Sequence, residues 1–281
     1  MIYIEIMGGL GNQLFQIFTG ISYSLDNKIP FKINNNKPDK VSPLDNISKR
    51  PTYWDNLLIN LSNFTYNNSL NLPIYREQQF FKYNIIPHIA KDFKLFGYYQ
   101  SYKYFENNYE NITKLIGLKE RKQIIKEKYT NYFKNKKPIS LHFRIGDYVN
   151  NLTMHPVLPI EYYIKSINLL KDKNNELEKN NYILIFGELT DNQKIEQHIK
   201  TINNEFPNLE ILICDYKIED YEQMLLMSLC ENNIIANSSF SWWGAYFNNN
   251  NNKIVCFPDL WNGSTNDTQD LFLENWNKIN I

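Results

Sequence analysis

The chain lacks most of the features by which common protein classes are recognised. Lys+Arg and Asp+Glu balance at 30 each, so no global field draws nucleic acid or an anionic membrane, and any anion must be held by local groups. Only Cys214, Cys230 and Cys256 are present. An odd number without ligand spacing excludes a disulfide framework and a cysteine metal cluster, and suits buried thiols in a reducing compartment. No run approaches the ~18 consecutive apolar residues of a membrane span. The opening Met1-Ile-Tyr-Ile-Glu-Ile-Met7 has no basic stretch and carries Glu5 inside its apolar run. It therefore reads as a first strand rather than a signal peptide, and a cytoplasmic location is expected. There is no Asp-x-Asp, no His or Cys cluster with ligand spacing, no Gly-x-Ser-x-Gly elbow and no Gly-Lys-Ser/Thr. Metal-assisted diphosphate binding, nucleophilic hydrolysis and a P-loop all lose their usual signatures, and neither a metal nor a cofactor is expected.

What is present is enough apolar material for one large domain or two ordinary ones: 281 residues, 43% hydrophobic. The second half alternates. Strand-like runs at 139–143, 182–186, 209–214, 233–236 and 253–257 are separated by helical patterns at 159–173, 191–203, 219–231 and 240–247. That alternation predicts an α/β fold with a parallel sheet buried on both faces. Ligands of such sheets bind beyond the carboxyl ends of the strands. His142 to Asp147, Gly187-Glu188, Asp215 and Asn237 to Ser239 fall there. The first half opens with a strand at 2–6, a Gly-rich turn and a helix at about 14–25; another strand is expected at 94–98, and 34–93 carries no readable pattern. A charged helix and linker, 119–137, runs up to Pro138 and sets the expected boundary between domains 1–135 and 136–281. A last helix is expected to pack back on the first domain. The Asn run 248–252 reads as a solvated turn.

Three motifs carry chemistry. In Ala236-Asn237-Ser238-Ser239-Phe240-Ser-Trp242-Trp243-Gly-Ala-Tyr246 a buried strand ends and an aromatic helix begins. The unpaired N–H groups and the dipole of a helix start, with the Ser238 and Ser239 hydroxyls, can hold a phosphate. The alternative is an ordinary Ser cap on a helix that buries Trp242 and Trp243. Gly8-Gly9-Leu10-Gly11-Asn12-Gln13 is a weak dinucleotide fingerprint, because Leu14 stands where a third Gly belongs. Its glycines allow close backbone approach, with Asn12 and Gln13 as amide hands, or it is a tight turn capped by Asn12. His142-Phe-Arg144-Ile-Gly146-Asp147-Tyr148 offers a planar fork for a diphosphate. The alternative is a structural Arg144–Asp147 pair, with His142 as a core hydrogen-bonder.

Together these three segments resemble the α1,2-fucosyltransferase family. Gly97-Tyr-Tyr-Gln-Ser-Tyr-Lys-Tyr-Phe105, Pro159-Ile-Glu-Tyr-Tyr163 and Met224-Leu-Leu-Met-Ser-Leu-Cys230 match in family order. The resemblance implies a GT-B fold, two Rossmann-like domains facing across a cleft, with an acceptor-side domain over 1–135 and a nucleotide-sugar-binding domain over 136–281. It implies metal-free, inverting transfer of L-fucose from GDP-β-L-fucose to a 2-hydroxyl of a glycan or oligosaccharide acceptor. Arg144 inherits the diphosphate grip and Asn12 the reach toward the reacting groups. His142, Gly187, Glu188, Asn237, Ser238, Ser239 and Phe240 fall to the donor pocket, and Gly8, Gly9, Gly11 and Gln13 to the cleft loop. Asp147 is the nearest carboxylate for the acceptor proton or for orienting Arg144. Three positions depart from the family pattern: Ile145 replaces a second Arg, Gly187-Glu188-Leu189-Thr190 is only partly acidic, and Gln223 replaces an Asp. The alternatives are a transferase using another deoxysugar nucleotide, such as a rhamnose donor, or a non-catalytic sugar-binding module.

Overall fold

An uninterrupted apolar strand such as Asn181-Tyr-Ile-Leu-Ile-Phe186 has no polar face to offer water and must be covered on both sides. The computed structural model, which describes residues 1–35, 51–68, 70–146, 155–263 and 267–281, builds two wholly parallel sheets around such strands. The first contains β1 (Ile2–Ile4), β2 (Phe31–Asn34), β3 (Thr65–Tyr66), β4 (Ile74–Arg76) and β5 (Phe93–Phe96), in the order β3-β2-β1-β5-β4. The second contains β6 (Lys137–His142), β7 (Asn181–Phe186), β8 (Ile211–Ile213), β9 (Asn232–Ile234), β10 (Val255–Pro258) and β11 (Asn277–Ile279), in the order β11-β10-β9-β6-β7-β8. The fold is α/β, as expected.

Each sheet belongs to its own compact unit: Met1–Arg121 with Asn266–Leu273, and Lys122–Thr265 with Glu274–Ile281. In the first, α1 (Leu10–Asn27) is buried along most of its length. It lies close on β1 because Gly20 has no side chain; a Cβ there would come 2.3 Å from Ile4 Cδ1. The helix stops at Lys28, whose φ of 53° is left-handed. α2 (Tyr109–Leu115) follows, and α3 (Leu118–Lys128) begins in this unit and continues into the second. The second unit interleaves its strands with α4 (Ile160–Lys173), α5 (Leu177–Asn180), α6 (Asn192–Glu205), α7 (Asp220–Met227) and α8 (Ser239–Tyr246). The five strands expected in the second half and the four helices expected between them are present, with ends shifted by a few residues.

The unit boundary falls between Arg121 and Lys122 rather than at 135/136. The reason is the side chains of α3 and of the residue after it: Lys122 Nζ donates to Phe247 O at 2.6 Å, and Lys128 Nζ and Tyr129 Oη donate to the Glu222 carboxylate at 2.7 and 2.6 Å. The expected last helix is not formed among the described residues. The chain instead ends in β11, and the segment just before it is held in the first unit by Asp270. The Asp270 carbonyl accepts from Ser101 Oγ at 2.6 Å and its carboxylate from Tyr83 N at 2.9 Å.

In the second sheet β6, β7 and β8 build outward one way and β9, β10 and β11 the other, so the winding reverses between β6 and β9. In the first it reverses between β1 and β5. In an open α/β sheet the crevice outside such a reversal is the favoured ligand site.

Candidate active site

The second unit gathers most of the predicted residues at its reversal. Beyond β6 the backbone stays extended, and Phe143 N donates to Phe186 O at 2.9 Å. Alternate residues therefore point to opposite sides. Phe143 and Ile145 sink into the core, while the Arg144 side chain emerges, 17% exposed. Ile145, where the family pattern has a second cation, faces away from Arg144. The β6–β7 register pairs His142 with Phe186, which sets Arg144 opposite Glu188, two residues beyond each partner. Arg144 Nη1 donates to Glu188 Oε1 in a short ion pair. The expected alternative partner, Asp147, lies outside the described residues. Asp191 Oδ2 accepts from Gly146 N at 2.8 Å, and a Cβ at Gly146 would stand 3.0 Å from Glu188 Oε2. Two carboxylates thus hold the Arg144–Gly146 segment. Gly187 lets Ile195 approach, since a Cβ there would come 2.6 Å from its Cδ1.

His142 is buried, its ring centroid 5.7 Å from that of Phe240. Burial, and then the nearby Arg144 charge, pushes its pKa down to about 3. The imidazole is therefore neutral and cannot serve as a second cation, but its buried Nδ1 has no hydrogen-bond partner among the described residues. The Tyr-Tyr pair of α4 braces the strand ends: Tyr163 Oη donates to His142 O at 3.1 Å, and Tyr162 Oη lies 2.6 Å from Ile235 O.

Across the reversal, β9 runs through Ala236 and buried Asn237 into α8. Asn237 Nδ2 donates to Pro156 O at 2.8 Å, so this amide ties two loops together. Ser238 is the N-cap; its Oγ accepts from Phe240 N at 3.3 Å. The cap alternative holds for Ser238, and its O–H is still a donor at a dipole-positive helix start. Ser239 and Phe240, both partly exposed, form the first turn. Trp242 and Trp243 are fully buried. Gly244 admits α7 against α8, for a Cβ there would lie 2.7 Å from Met227 Cβ. Two residues that sequence reasoning missed close the far end of α8. Lys122 Nζ bonds Phe247 O, and Lys253 Nζ bonds Ala245 O at 2.9 Å and Asn248 O. Burial lowers both pKa values from 10.5 to about 8. Cations at a helix C-terminus complement its dipole. The Asn run is not wholly solvated: Asn248 is buried and donates to Cys230 O and Asn233 Oδ1, both at 2.8 Å.

In the first unit the Gly-rich segment departs from expectation. α1 begins at Leu10 with Gly9 as N-cap and no side-chain cap bond. Asn12 is therefore not the cap, and Gly11 and Gln13 lie inside the helix rather than in a cleft loop. Gln13 is fully buried; its Nε2 donates to Gly8 O at 3.0 Å and Pro51 O at 2.9 Å. It shapes the turn from behind. Gly8, at φ +76°, needs to be glycine, because a Cβ would meet Asn12 Nδ2 at 2.6 Å. Gly9 has open space beside it. Asn12 Oδ1 accepts from Gln100 Nε2 at 2.7 Å, joining the ends of β1 and β5 at that sheet's own reversal. Gln100 was visible in the Gly97-Tyr-Tyr-Gln motif but not assigned.

Among the described residues no group of three or more His, Cys, Asp or Glu is placed to hold a metal ion, and no helix is long and apolar enough to cross a membrane. The three cysteines are free and buried, and burial pushes the Cys214 and Cys256 thiols up to about 12.

The family model described as Glycosyl transferase family 11 matches residues 48–280. The chain is 28% identical to the O-antigen biosynthesis glycosyltransferase WbnK of Escherichia coli, over 98% of this chain and 99% of that protein. It is 27% identical to an alpha-1,2-colitosyltransferase of Escherichia coli, over 93% and 92% of the two chains. Among solved structures it is similar to the glycosyl transferase family 9 protein of Veillonella parvula, with a TM-score of 0.50 and 10% identity over 99% of this chain and 86% of that one. At that identity the likeness is one of fold.

Proposed function

The chain belongs to glycosyl transferase family 11, and we propose that within it the enzyme moves L-fucose from GDP-β-L-fucose to the 2-hydroxyl of a sugar acceptor, without metal and with inversion. The observation that carries this reading is the reversal between β6 and β9, where a cation, Arg144, and a helix N-terminus, that of α8, lie at the ends of adjacent strands. A sugar–diphosphate bond breaks with negative charge growing on the leaving phosphate. Preorganised donors aimed at that charge are the largest catalytic contribution such a site can make. In this reading the Arg144 fork takes the diphosphate, the α8 start with Ser238 and Ser239 takes phosphate oxygens, and neutral His142 gives a hydrogen bond but no charge. The sugar departs with oxocarbenium character while the acceptor hydroxyl attacks the opposite face. Asp147 is assigned to the acceptor proton by its motif position. The first unit, with Asn12, is assigned to the acceptor side, and the two units to a GT-B arrangement facing across a cleft.

A second reading, another deoxysugar donor, is favoured by the likeness to an alpha-1,2-colitosyltransferase. One experiment separates the two: parallel turnover of GDP-fucose, GDP-colitose and a rhamnose nucleotide in excess EDTA, with a panel of glycosides as acceptors. Turnover of GDP-fucose in EDTA, faster than of the others, supports the proposal. Preference for GDP-colitose or the rhamnose donor, or activity restored only by Mn²⁺ or Mg²⁺, overturns it.

A further inference from the structure

The far end of α8 gathers positive charge with no acid beside it. Lys122 comes from α3 and Lys253 from the segment before β10, and both ammonium groups end on the carbonyls that close the helix. Lys122 Nζ donates to Phe247 O at 2.6 Å; Lys253 Nζ donates to Ala245 O at 2.9 Å and to Asn248 O. Lys122 is buried and Lys253 half-buried. A cation taken out of water is costly unless an opposite charge accompanies it. Among the described residues no carboxylate pairs with either lysine, and the charge that acts on Lys122 is that of Lys253, of like sign. The groups on the surrounding elements are neutral or engaged elsewhere. α8 has no charged side chain, and its Tyr246 ring stacks on Trp242, centroids 4.6 Å apart. On α7 the Glu222 carboxylate is held by Lys128 and Tyr129. Glu231 pairs with Lys137 at 3.1 Å, and the Cys230 thiol, pushed far up by burial, lies against Leu226 O. α8 itself is a stiff strut, with Trp242 and Trp243 fully buried and Gly244 seated on Met227. An eight-residue helix is about 12 Å long. At an effective dielectric of about 20, a unit charge that far from an anion changes its affinity by about fivefold.

We propose that Lys122 and Lys253 are positioning residues for the donor diphosphate: protonated, they fix and charge the far end of α8, so that its N-terminus meets the phosphates at a more positive potential, and donor binding draws protons onto them. This rests on the reading above in which the start of α8 takes phosphate oxygens. The diphosphate supplies the opposite charge that two facing ammonium groups need, and the helix dipole between them points the same way. Burial holds both lysines at a pKa of about 8, so their charge is lost within a range that binding experiments reach. An anion at the other end of the helix favours the charged form. Binding therefore takes up protons, and donor affinity falls as pH rises through that range.

The test titrates GDP into the full chain by calorimetry, in pairs of buffers of different ionisation enthalpy, which reads the protons taken up on binding. The unaltered protein should take up protons at about pH 8, and Lys122→Met should take up fewer. Lys122→Met should bind GDP about fivefold more weakly at about pH 7.5, and the gap should close toward about pH 9.5, where the unaltered lysine is neutral as well. Lys122→Arg, charged throughout, should keep the affinity. Ionisations of the nucleotide and of the N-terminus are common to all the proteins and drop out of the comparison. A lysine that served stability alone would move neither the proton count nor the pH dependence. Lys253→Met gives the same comparison where Lys122→Met does not fold. GDP bound with equal proton uptake and equal affinity in the unaltered and variant proteins overturns the inference and leaves the donor reading standing. No binding of GDP overturns the donor reading; inorganic pyrophosphate then decides the inference, which stands on lysine-dependent proton uptake and falls without it.

Discussion

Arg144→Ala should separate activity from stability, and the structure sets the size of both effects. The guanidinium is 17% exposed and its partner Glu188 is 50% exposed, so their ion pair is partly solvated and worth at most about 1 kcal/mol. Removing Arg144 leaves Glu188 free to turn into water rather than burying an unpaired charge. In a chain of this length that corresponds to a fall in Tm of roughly 2–4 °C. Catalysis should suffer far more. Deleting one preorganised donor to developing charge costs about 100-fold in kcat/KM, or roughly 2.7 kcal/mol. Arg144→Lys should recover only part of this, because a point charge lacks the two-pronged geometry of the fork. Steady-state kinetics on GDP-fucose, with calorimetric Tm on the same preparations, reads both quantities. Near-normal turnover in Arg144→Ala, or a loss of activity matched by a collapse in Tm, would refute the reasoning and return Arg144 to a structural role.

The same pair predicts that Glu188→Gln binds GDP more tightly, by up to about fivefold in titration calorimetry, because a partner worth up to ~1 kcal/mol no longer competes for the fork; weaker binding would make Glu188 a donor contact. Lys122 and Lys253, lowered by burial from 10.5 to about 8, release protons in the native state that the unfolded chain still holds, so their contribution to stability should rise from pH 8 toward 10. The buried thiols, pushed upward, act in the opposite sense, so the informative quantity is the difference between the unaltered protein and Lys122→Met in urea unfolding, which should grow across that window; a difference that shrinks contradicts the assignment. Gly244→Ala puts a methyl 2.7 Å from Met227 Cβ and should cost about 1–3 kcal/mol, the usual range for overpacking, read in the same unfolding experiment.

Much of this was legible in the chain because it depends on local pattern. The run Tyr182–Phe186 and the junction at Asn237–Phe240 announce a doubly covered strand and a helix start, and they are found as such. The Arg144–Glu188 pair was not legible, since it follows from the register His142↔Phe186, a choice between strands 44 residues apart in sequence. Among the described residues of 34–93, the strands Thr65–Tyr66 and Ile74–Arg76 are too short, and have no buried face, to show alternation. Lys122 and Asn248 look like solvated polar residues until the carbonyl of Phe247 at the end of α8 receives the first, and the carbonyl of Cys230 and the side chain of Asn233 in β9 receive the second. Gln13 looked like a hand for ligand. Its neighbour Asn12 is the one at the sheet edge, because the helix begins at Leu10 and turns Gln13 inward.

The account's central claim is transfer of fucose with inversion to a 2-hydroxyl, and the product itself decides it. The disaccharide formed from GDP-β-L-fucose and methyl β-D-galactopyranoside in EDTA would be isolated and its linkage read by two-dimensional NMR. The account predicts an α-configured fucosyl residue with its anomeric proton correlated to C2 of galactose. A β-configured product, attachment at another carbon, or transfer of fucose to water alone would contradict it.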